Sequence, residues 1–148
     1  MRTINRLHRS GIAVEPARPI SSVARIMEAS GIGTVAIIDG TDLVGIVTDR
    51  DLVRRGLARD LPPDTRVDGL MSAPVVTFEA DADIHDAIEM FNRHAIRRLA
   101  VVEQGGFVGI LSLDDLLLDM AGDLVALATP LSLEILSPGR DAPLPATR

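Results

Sequence analysis

The stretch GIVTDRDLV, residues 45–53, places a hydroxyl and two carboxylates at a turn between an apolar strand and a helix. A carboxylate can accept hydrogen bonds from both hydroxyls of a ribose, as the acidic residue of dinucleotide-binding folds does. The hydroxyl of Thr48 can donate to a phosphate near the positive end of the helix dipole. Thr48 and Asp51 therefore have the chemistry to bind the sugar and phosphate of a nucleotide.

The same residues also fit a capping box at the start of a helix. In that motif the N-cap Thr accepts a hydrogen bond from the N3 amide, and an acidic N3 side chain accepts one from the N-cap amide. Residues 112–115, SLDD, fit the motif as well. Because a duplicated cap is copied as readily as a duplicated site, the residues alone leave both interpretations open.

The elements that carry these two turns occur twice in the chain. GIVTDRDL at position 45 aligns with GILSLDDL at position 109, and the same 64-residue offset holds without a gap over about thirty preceding positions. Met27 then falls on Phe91, and the run Val35–Ile38 falls on Leu99–Val102. Such an ungapped register predicts an internal duplication.

Each copy is predicted to fold in the order β-α-β-β-α. In the first copy we expect strands at 12–14, 34–38 and 43–47, with helices at 20–30 and from about 48. In the second copy we expect strands at 76–78, 99–102 and 107–111, a helix capped by Asp81 or Asp83, and a helix from about 112. The Asp39-Gly40 turn is predicted to form a type I′ hairpin.

The predicted domain boundaries follow the prolines. Residues 1–66 form the first repeat with its N-terminal arm and linker, and residues 67–127 form the second. Residues 128–148 are predicted to be a proline-rich, disordered tail. The apolar segment 116–136, as a helix extending past the module, would need a partner, most simply a second copy of the chain.

Composition narrows the function classes. The 148 residues include 47% hydrophobic and only 2% aromatic residues, so the core is built from aliphatic side chains. A net charge of −6 disfavours non-specific nucleic-acid binding, and the absence of cysteine excludes disulfides and thiolate sites. No secretory signal, membrane span, metal-ligand spacing or catalytic motif is visible. We therefore expect a cytoplasmic protein that is not an enzyme.

The two copies, each ending in Gly-apolar-apolar-Thr/Ser-x-x-Asp, resemble a tandem pair of cystathionine β-synthase (CBS) domains. The phrases DGLMSAPVVTFEADADIHDAIEMF, HAIRRLAVVEQGGFVGIL and GIVTDRDLVRRGLA carry the resemblance over roughly residues 5 to 127. It implies an α/β fold of tandem β-α-β-β-α repeats, a CBS pair or Bateman-type module with quasi-two-fold symmetry. With no attached enzyme or transporter visible, the chain is similar to stand-alone CBS proteins.

The family resemblance implies two clefts between the repeats that bind adenosine-containing ligands such as AMP, ADP, ATP or S-adenosylmethionine. The matching Thr/Ser and Asp, here Thr48 with Asp51 and Ser112 with Asp115, would contact phosphate and ribose. Backbone groups and apolar side chains would surround the adenine. Those positions are Ile12, Ala13, Val14, Ile32, Gly33 and Thr34 in the first copy and Val76, Thr77, Ile96 and Arg97 in the second.

The two copies differ at positions that bear on binding. The second has Arg97 and Arg98 where the first has Gly33 and Thr34. At least one guanidinium is expected to point into the cleft and pair with phosphate, and the alternative is a surface salt bridge. Since Leu113 replaces Asp49, the second site is expected to bind more weakly than the first, or not at all.

The sequence therefore predicts a homodimeric sensor that binds adenine nucleotides and is read by an unidentified downstream protein. It requires no cofactor, involves no nucleic acid or membrane, and leaves open whether Mg²⁺ accompanies the nucleotide. The alternative is a ligand-free CBS scaffold that mediates homodimerisation and protein–protein interaction. A third possibility, an enzyme that acts on nucleotides, has no visible catalytic apparatus.

Overall fold

The computed structural model describes residues 7–136, with side chains described as far as residue 130. It contains the β-α-β-β-α order twice, as the duplication predicts, and every predicted bound lies within two residues of the observed one. The strands are β1 (Arg9–Ser10), β2 (Ala13–Val14), β3 (Thr34–Asp39), β4 (Asp42–Thr48), β5 (Thr77–Glu79), β6 (Arg98–Glu103) and β7 (Gly106–Ser112). The helices are α1 (Ile20–Ser30), α2 (Asp49–Asp51), α3 (Ile84–His94) and α4 (Leu113–Leu136).

Each half carries one small mixed sheet with the same internal pairing. In the first half the strand order is β2-β3-β4, with β2 parallel and β4 antiparallel to β3. In the second half β5, β6 and β7 repeat this arrangement. Both hairpins also shift register at the matching position, after Ile37 and after Val101. The duplication is therefore exact enough to preserve a β-bulge.

The two hairpin turns differ, and the prediction of a type I′ turn at Asp39-Gly40 is wrong. Asp39 pairs with Asp42, so the central residues of that turn are Gly40 and Thr41. Only Gly40 has positive φ, at 62°, whereas a type I′ turn needs two such residues. In the second hairpin both central residues, Gln104 and Gly105, have positive φ, as a type I′ turn requires.

The helices α1 and α3 occupy the same place in the two halves but begin differently. Asp83 is the N-cap of α3 and accepts a hydrogen bond from the His85 amide at 2.9 Å, whereas Asp81 lies in the preceding turn and does not cap it. Pro19 precedes α1 without a side-chain cap. Both helices end at a left-handed residue, Gly31 in α1 and Ala95 in α3.

Each half has its own hydrophobic core on the helix side of its sheet. The first is centred on Val23, Val35, Ile37 and Val47, which are fully buried. The second is centred on residues such as Leu99 and Leu111. Ala36 and Ala100 are also fully buried but belong to neither core. Since side chains alternate along a strand, each alanine lies on the face of its sheet that points away from the helix-side core. Because both alanines are buried, that second face of each sheet must also be covered.

The N-terminal arm crosses to the other half, which the sequence pattern did not predict. Strand β1 pairs antiparallel with β7, where Arg9 lies opposite Ile110 and Ser10 opposite Gly109. The linker makes the matching crossing, because Ser72 pairs with Ile46 of β4. The two halves are therefore tied together by main-chain hydrogen bonds in both directions.

A glycine at each crossing point leaves space for the segment that comes from the other half of the chain. A Cβ at Gly109 would collide with the carbonyl oxygen of Arg9 and the ring of His8. At the equivalent Gly45, a Cβ would collide with the side chain of Met71. The glycine of each Gly-apolar-apolar-Thr/Ser motif thus has a packing role that is independent of any ligand.

The last helix, α4, continues to Leu136 and includes Pro130. The prediction that residues from 128 onward are disordered is therefore wrong for 128–136, and the rest of that tail lies outside the described residues. The apolar segment 116–136, which as a helix would need a partner, lies within α4. Within residues 7–136, no helix has both the length and the apolar character needed to cross a membrane.

Candidate functional site

The turn of the first repeat forms the capping box that the sequence allowed. Thr48 is the N-cap of α2, and its hydroxyl oxygen accepts a hydrogen bond from the Asp51 amide at 3.1 Å. The Thr48 amide and hydroxyl both donate to Oδ2 of Asp51, each at 2.9 Å. Oδ1 of Asp51 lies 3.6 Å from Nε of Arg55. In this state the cap occupies one carboxylate oxygen and leaves the other loosely paired.

The turn of the second repeat has the same two contacts between hydroxyl and Asp, together with a contact from the N-terminal arm. The Ser112 hydroxyl donates to Oδ2 of Asp115 at 2.6 Å and accepts from the Asp115 amide at 3.1 Å. Arg9 of the N-terminal arm donates to Oδ1 of Asp115 through Nη2 at 2.8 Å and Nε at 3.2 Å. Both oxygens of Asp115 are therefore engaged.

These contacts alter the acidity of Asp115. Burial is the largest single effect and raises its pKa. The hydrogen bonds from Ser112 and Arg9, together with the positive charge of Arg9, outweigh burial, so the pKa of Asp115 lies below its ordinary value. Asp115 is therefore a charged acceptor at neutral pH, as a diol-binding carboxylate must be.

A cleft of about 240 Å³ lies beside Asp115, between the two halves. The first half contributes the arm and the turn before β3, and the second half contributes β6, β7 and the start of α4. The lining residues are Arg9, Ser10, Gly11, Gly31, Ile32, Gly33, Thr34, Arg98, Ile110, Ser112, Asp114, Asp115 and Leu118. Two arginines and two aspartates converge there on a partly apolar wall.

Thr34 is the unusual member of this lining. Its side chain is 8% exposed, and its hydroxyl has no hydrogen-bond partner among the described residues. A buried hydroxyl without a partner costs free energy, so native proteins almost always satisfy it. Thr34 is therefore an unusually buried polar residue in the wall of this cleft.

The structure brings together six of the predicted site residues and leaves the others outside this cleft. Ile32, Gly33, Thr34, Arg98, Ser112 and Asp115 line it. Ile12, Val76 and Ile96 pack against the two cores, and Val14 is buried in the first. Ala13 and Thr77 are exposed on short strands. Thr48, Asp51 and Arg97 also lie outside the residues that line this cleft.

The two adjacent arginines divide between the two roles considered for them. Arg97 forms a surface salt bridge with Asp114 at 2.9 Å, and both side chains are largely exposed. Arg98 lines the cleft beside Ser112 and Asp115. Of these two adjacent arginines, Arg98 alone is therefore placed to meet an anionic group of a ligand in this cleft.

Asp51 has a different environment, because it lines a separate pocket of about 220 Å³ with four arginines, Arg50, Arg54, Arg55 and Arg59. Arg55 is held in place by the main-chain carbonyls of Leu70 and Met71, at 3.0 and 3.2 Å. This pocket is strongly basic in a protein whose net charge is −6. A phosphate group near Asp51 would find compensating charge there.

Sequence reasoning missed the contribution of the arm to the cleft. Arg9, Ser10 and Gly11 line it although they precede the first residue of the aligned repeat. A two-residue strand has no periodicity, so no pattern marks it. Leu118 was missed for another reason, since the sequence indicated only that α4 is apolar.

Metal binding finds no support in the described part of the chain. No three His, Asp or Glu side chains there lie close enough together to hold a metal ion. The sequence has no cysteine that could add a ligand.

Comparison with known proteins assigns this fold. The family model described as CBS domain matches residues 6–58 and again residues 67–122. The chain belongs to the CBS domain family. The two matched segments contain the two β-α-β-β-α units, so the protein is a tandem CBS pair, as the sequence resemblance predicted.

Relatives of this CBS pair support the assignment. CBS domain-containing protein YhcV of Bacillus subtilis is 33% identical over 103 residues, covering 70% of this chain and 74% of that protein. Two further curated relatives are covered over 62% and 57% of their length. A solved structure with CBS domains from Burkholderia ambifaria has a TM-score of 0.73 at 26% identity, covering 82% of this chain and 96% of that chain.

A second solved structure similar to this CBS pair contains a ligand. It is the CBS domain protein PAE2072 from Pyrobaculum aerophilum complexed with AMP, with a TM-score of 0.69 and 25% identity. The match covers 82% of this chain and 99% of that chain.

Proposed function

We propose that this CBS pair is a regulatory module that binds an adenosine-containing ligand, AMP, ADP or ATP, in clefts between its repeats and catalyses no reaction. The observation that carries the proposal is the cleft between the two halves, which is lined by both the Asp115 carboxylate and the Arg98 guanidinium. The AMP complex of a structurally similar CBS protein supports the choice of ligand.

Different residues of the cleft suit the ribose, the phosphate and the adenine of a nucleotide. The carboxylate of Asp115 is the acceptor for a ribose diol, and Arg98 is the donor for a phosphate. The Ile32 amide already donates to the Met27 carbonyl, and the Gly33 carbonyl accepts from the Asp49 amide, so the Ile32 carbonyl and the Gly33 amide would meet an adenine edge. At about 240 Å³ the cleft is smaller than the roughly 300–1,000 Å³ of ligand pockets, so the nucleoside would fill it and the phosphates would extend outward.

The first carboxylate suits a ligand with more phosphate. The repeat relation places Thr48 and Asp51 where the second half has Ser112 and Asp115. The arginine pocket beside Asp51 would neutralise several negative charges. We therefore expect a site at Asp51 to favour ADP or ATP over AMP more strongly than the cleft beside Asp115 does.

A thermal-shift and calorimetry panel with AMP, ADP, ATP and S-adenosylmethionine tests the proposal. A ligand at about 100 times its Kd stabilises the folded state by roughly 2.7 kcal/mol. Absence of any shift at millimolar concentrations of all four compounds would refute nucleotide binding. Overnight incubation with ATP followed by product analysis tests the absence of catalysis.

Replacing Asp51 or Asp115 by Ala is expected to weaken binding at the corresponding cleft by about 1.5–3 kcal/mol, or roughly 10- to 150-fold, because a charge-assisted hydrogen bond to the ribose is lost. Calorimetry with AMP and ATP measures the change. Asp83→Ala is the matched control, since it removes the carboxylate cap of α3 far from the lining of the cleft. Equal affinities for all three variants would contradict the ribose role.

The second candidate function, a scaffold built on homodimerisation, is favoured by the surface of α4. Leu117, Met120, Leu124 and Leu127 recur at helical spacing, and each is at least 42% exposed. The first half has an apolar groove of about 330 Å³, lined by residues including Val53, Leu57 and Leu61. A monomer would leave these side chains in water, so we propose that a second copy of the chain covers them.

A further inference from the structure

The contact between Arg9 and Asp115 joins the first segment of the chain to the carboxylate of the second cleft. The backbone of Arg9 is fixed, because β1 pairs with β7 and the Gly11 amide donates to the Val108 carbonyl at 3.3 Å. Its side chain, by contrast, is 73% exposed, while that of Asp115 is 17% exposed. The guanidinium can therefore leave the carboxylate without any movement of the arm backbone.

The hydrogen bonds of Asp115 leave too little room for a diol. Its Oδ1 accepts both Nη2 and Nε of Arg9, and its Oδ2 accepts the hydroxyl of Ser112. A carboxylate has about four acceptor positions in all. Two ribose hydroxyls need two of them in a suitable direction, so the diol and Arg9 compete for the same group.

The duplication supplies an internal comparison. Arg9 pairs with Ile110 of β7, and at the equivalent Ile46 of β4 the crossing segment pairs through Ser72, which carries no charge. The equivalent carboxylate, Asp51, has as its nearest guanidinium that of Arg55 in its own helical segment, at 3.6 Å. Of the two equivalent carboxylates, Asp115 is therefore paired with a residue of a crossing segment, whereas the guanidinium near Asp51 belongs to the same repeat.

We propose that Arg9 weakens ligand binding in the second cleft, the one beside Asp115, because it competes with the ribose diol for that carboxylate. The inference rests on the proposed function, since it takes the ligand to be a nucleoside with a free diol. Removal of the Arg9 guanidinium frees Oδ1 of Asp115 and makes the second cleft a better diol site.

Calorimetry on the full-length chain with Asp51 replaced by Ala isolates the second cleft. Adenosine is the probe, because it carries the diol but no phosphate that Arg9 could attract. Adding Arg9→Ala to this background is expected to tighten adenosine binding about two- to fivefold, the range set by breaking one exposed ion pair. Arg66→Ala is the matched control, since Arg66 forms a similarly exposed pair with Asp68.

Two further probes decide the mechanism. 2′,3′-Dideoxyadenosine should gain nothing from Arg9→Ala, because it has no diol, and an equal gain would show that Arg9 only blocks space. AMP should also bind more tightly, and weaker AMP binding would show that Arg9 holds the phosphate instead. Either result would contradict the proposed competition between Arg9 and the ribose diol for Asp115.

The remaining outcomes separate this inference from the proposed function. If adenosine and AMP bind in a manner that depends on Asp51 or Asp115, and Arg9→Ala behaves like Arg66→Ala, the inference fails alone. If no adenosine compound binds the unmodified chain, the Asp51→Ala chain or its Arg9→Ala derivative, both the proposed function and the inference fail.

Discussion

Replacing Leu124 by Asp is expected to convert the proposed CBS homodimer into a monomer. Leu124 lies in the middle of the exposed apolar stripe of α4 and is 68% exposed in the single chain. In a dimer that covers this stripe, a carboxylate at this position would be taken out of water without a partner. The cost of several kcal/mol should raise the dimer Kd by about 100-fold or more. Sedimentation velocity over a concentration series measures the dimer Kd of the variant and of the parent chain.

The control for this variant is Ala126→Asp on the same helix. At about 100° per residue, position 126 lies roughly 200° around α4 from Leu124, away from the stripe. Ala126→Asp introduces the same charge as Leu124→Asp and has a similar effect on helix propensity. If both variants sediment like the parent chain, the stripe is not a dimer interface, and if both dissociate, the effect is one of charge alone.

The fold could be predicted from the sequence because the duplication tests every assignment twice. The helix at residues 20–30 and the strand from Thr34 each had a counterpart 64 residues later, and both copies were found. The segment from Leu52 to Gly56 shows the limit of this approach. It winds as a π-helix after only three α-helical residues, where the second copy continues as the long helix α4. Tertiary contacts of Arg55 with the linker, which no repeat pattern encodes, accompany that difference.

The candidate site was less predictable, since it depends on which parts of the two halves meet. The Thr/Ser-x-x-Asp turns were visible, and the structure shows that the hydroxyl of each turn accepts from the amide of its Asp, while Asp51 and Asp115 line separate pockets. The crossing of the arm was not visible, because two strand residues carry no pattern. That crossing places Arg9 on Asp115 and gives the second carboxylate a partner that its counterpart lacks.

The same crossings bear on how the CBS pair unfolds. The two halves have separate cores, and each core is composed mainly of residues from one repeat. Two cores of that size, if independent, would melt separately. However, β1 extends the second sheet and Ser72 pairs with the first, so each half contributes main-chain hydrogen bonds to the other. Loss of one core should therefore unfold the whole pair.

Replacing Phe91 by Ala tests this coupling and is expected to destabilise the protein by about 3–5 kcal/mol, because Phe91 is 4% exposed in the second core and its removal leaves a cavity. Urea unfolding followed by circular dichroism should show one transition at a lower midpoint with an unchanged slope. Phe91→Leu, which keeps most of the apolar volume, is the control and should lose much less. Two transitions, with only one moved by the substitution, would show that the repeats fold independently and that the crossings do not couple them.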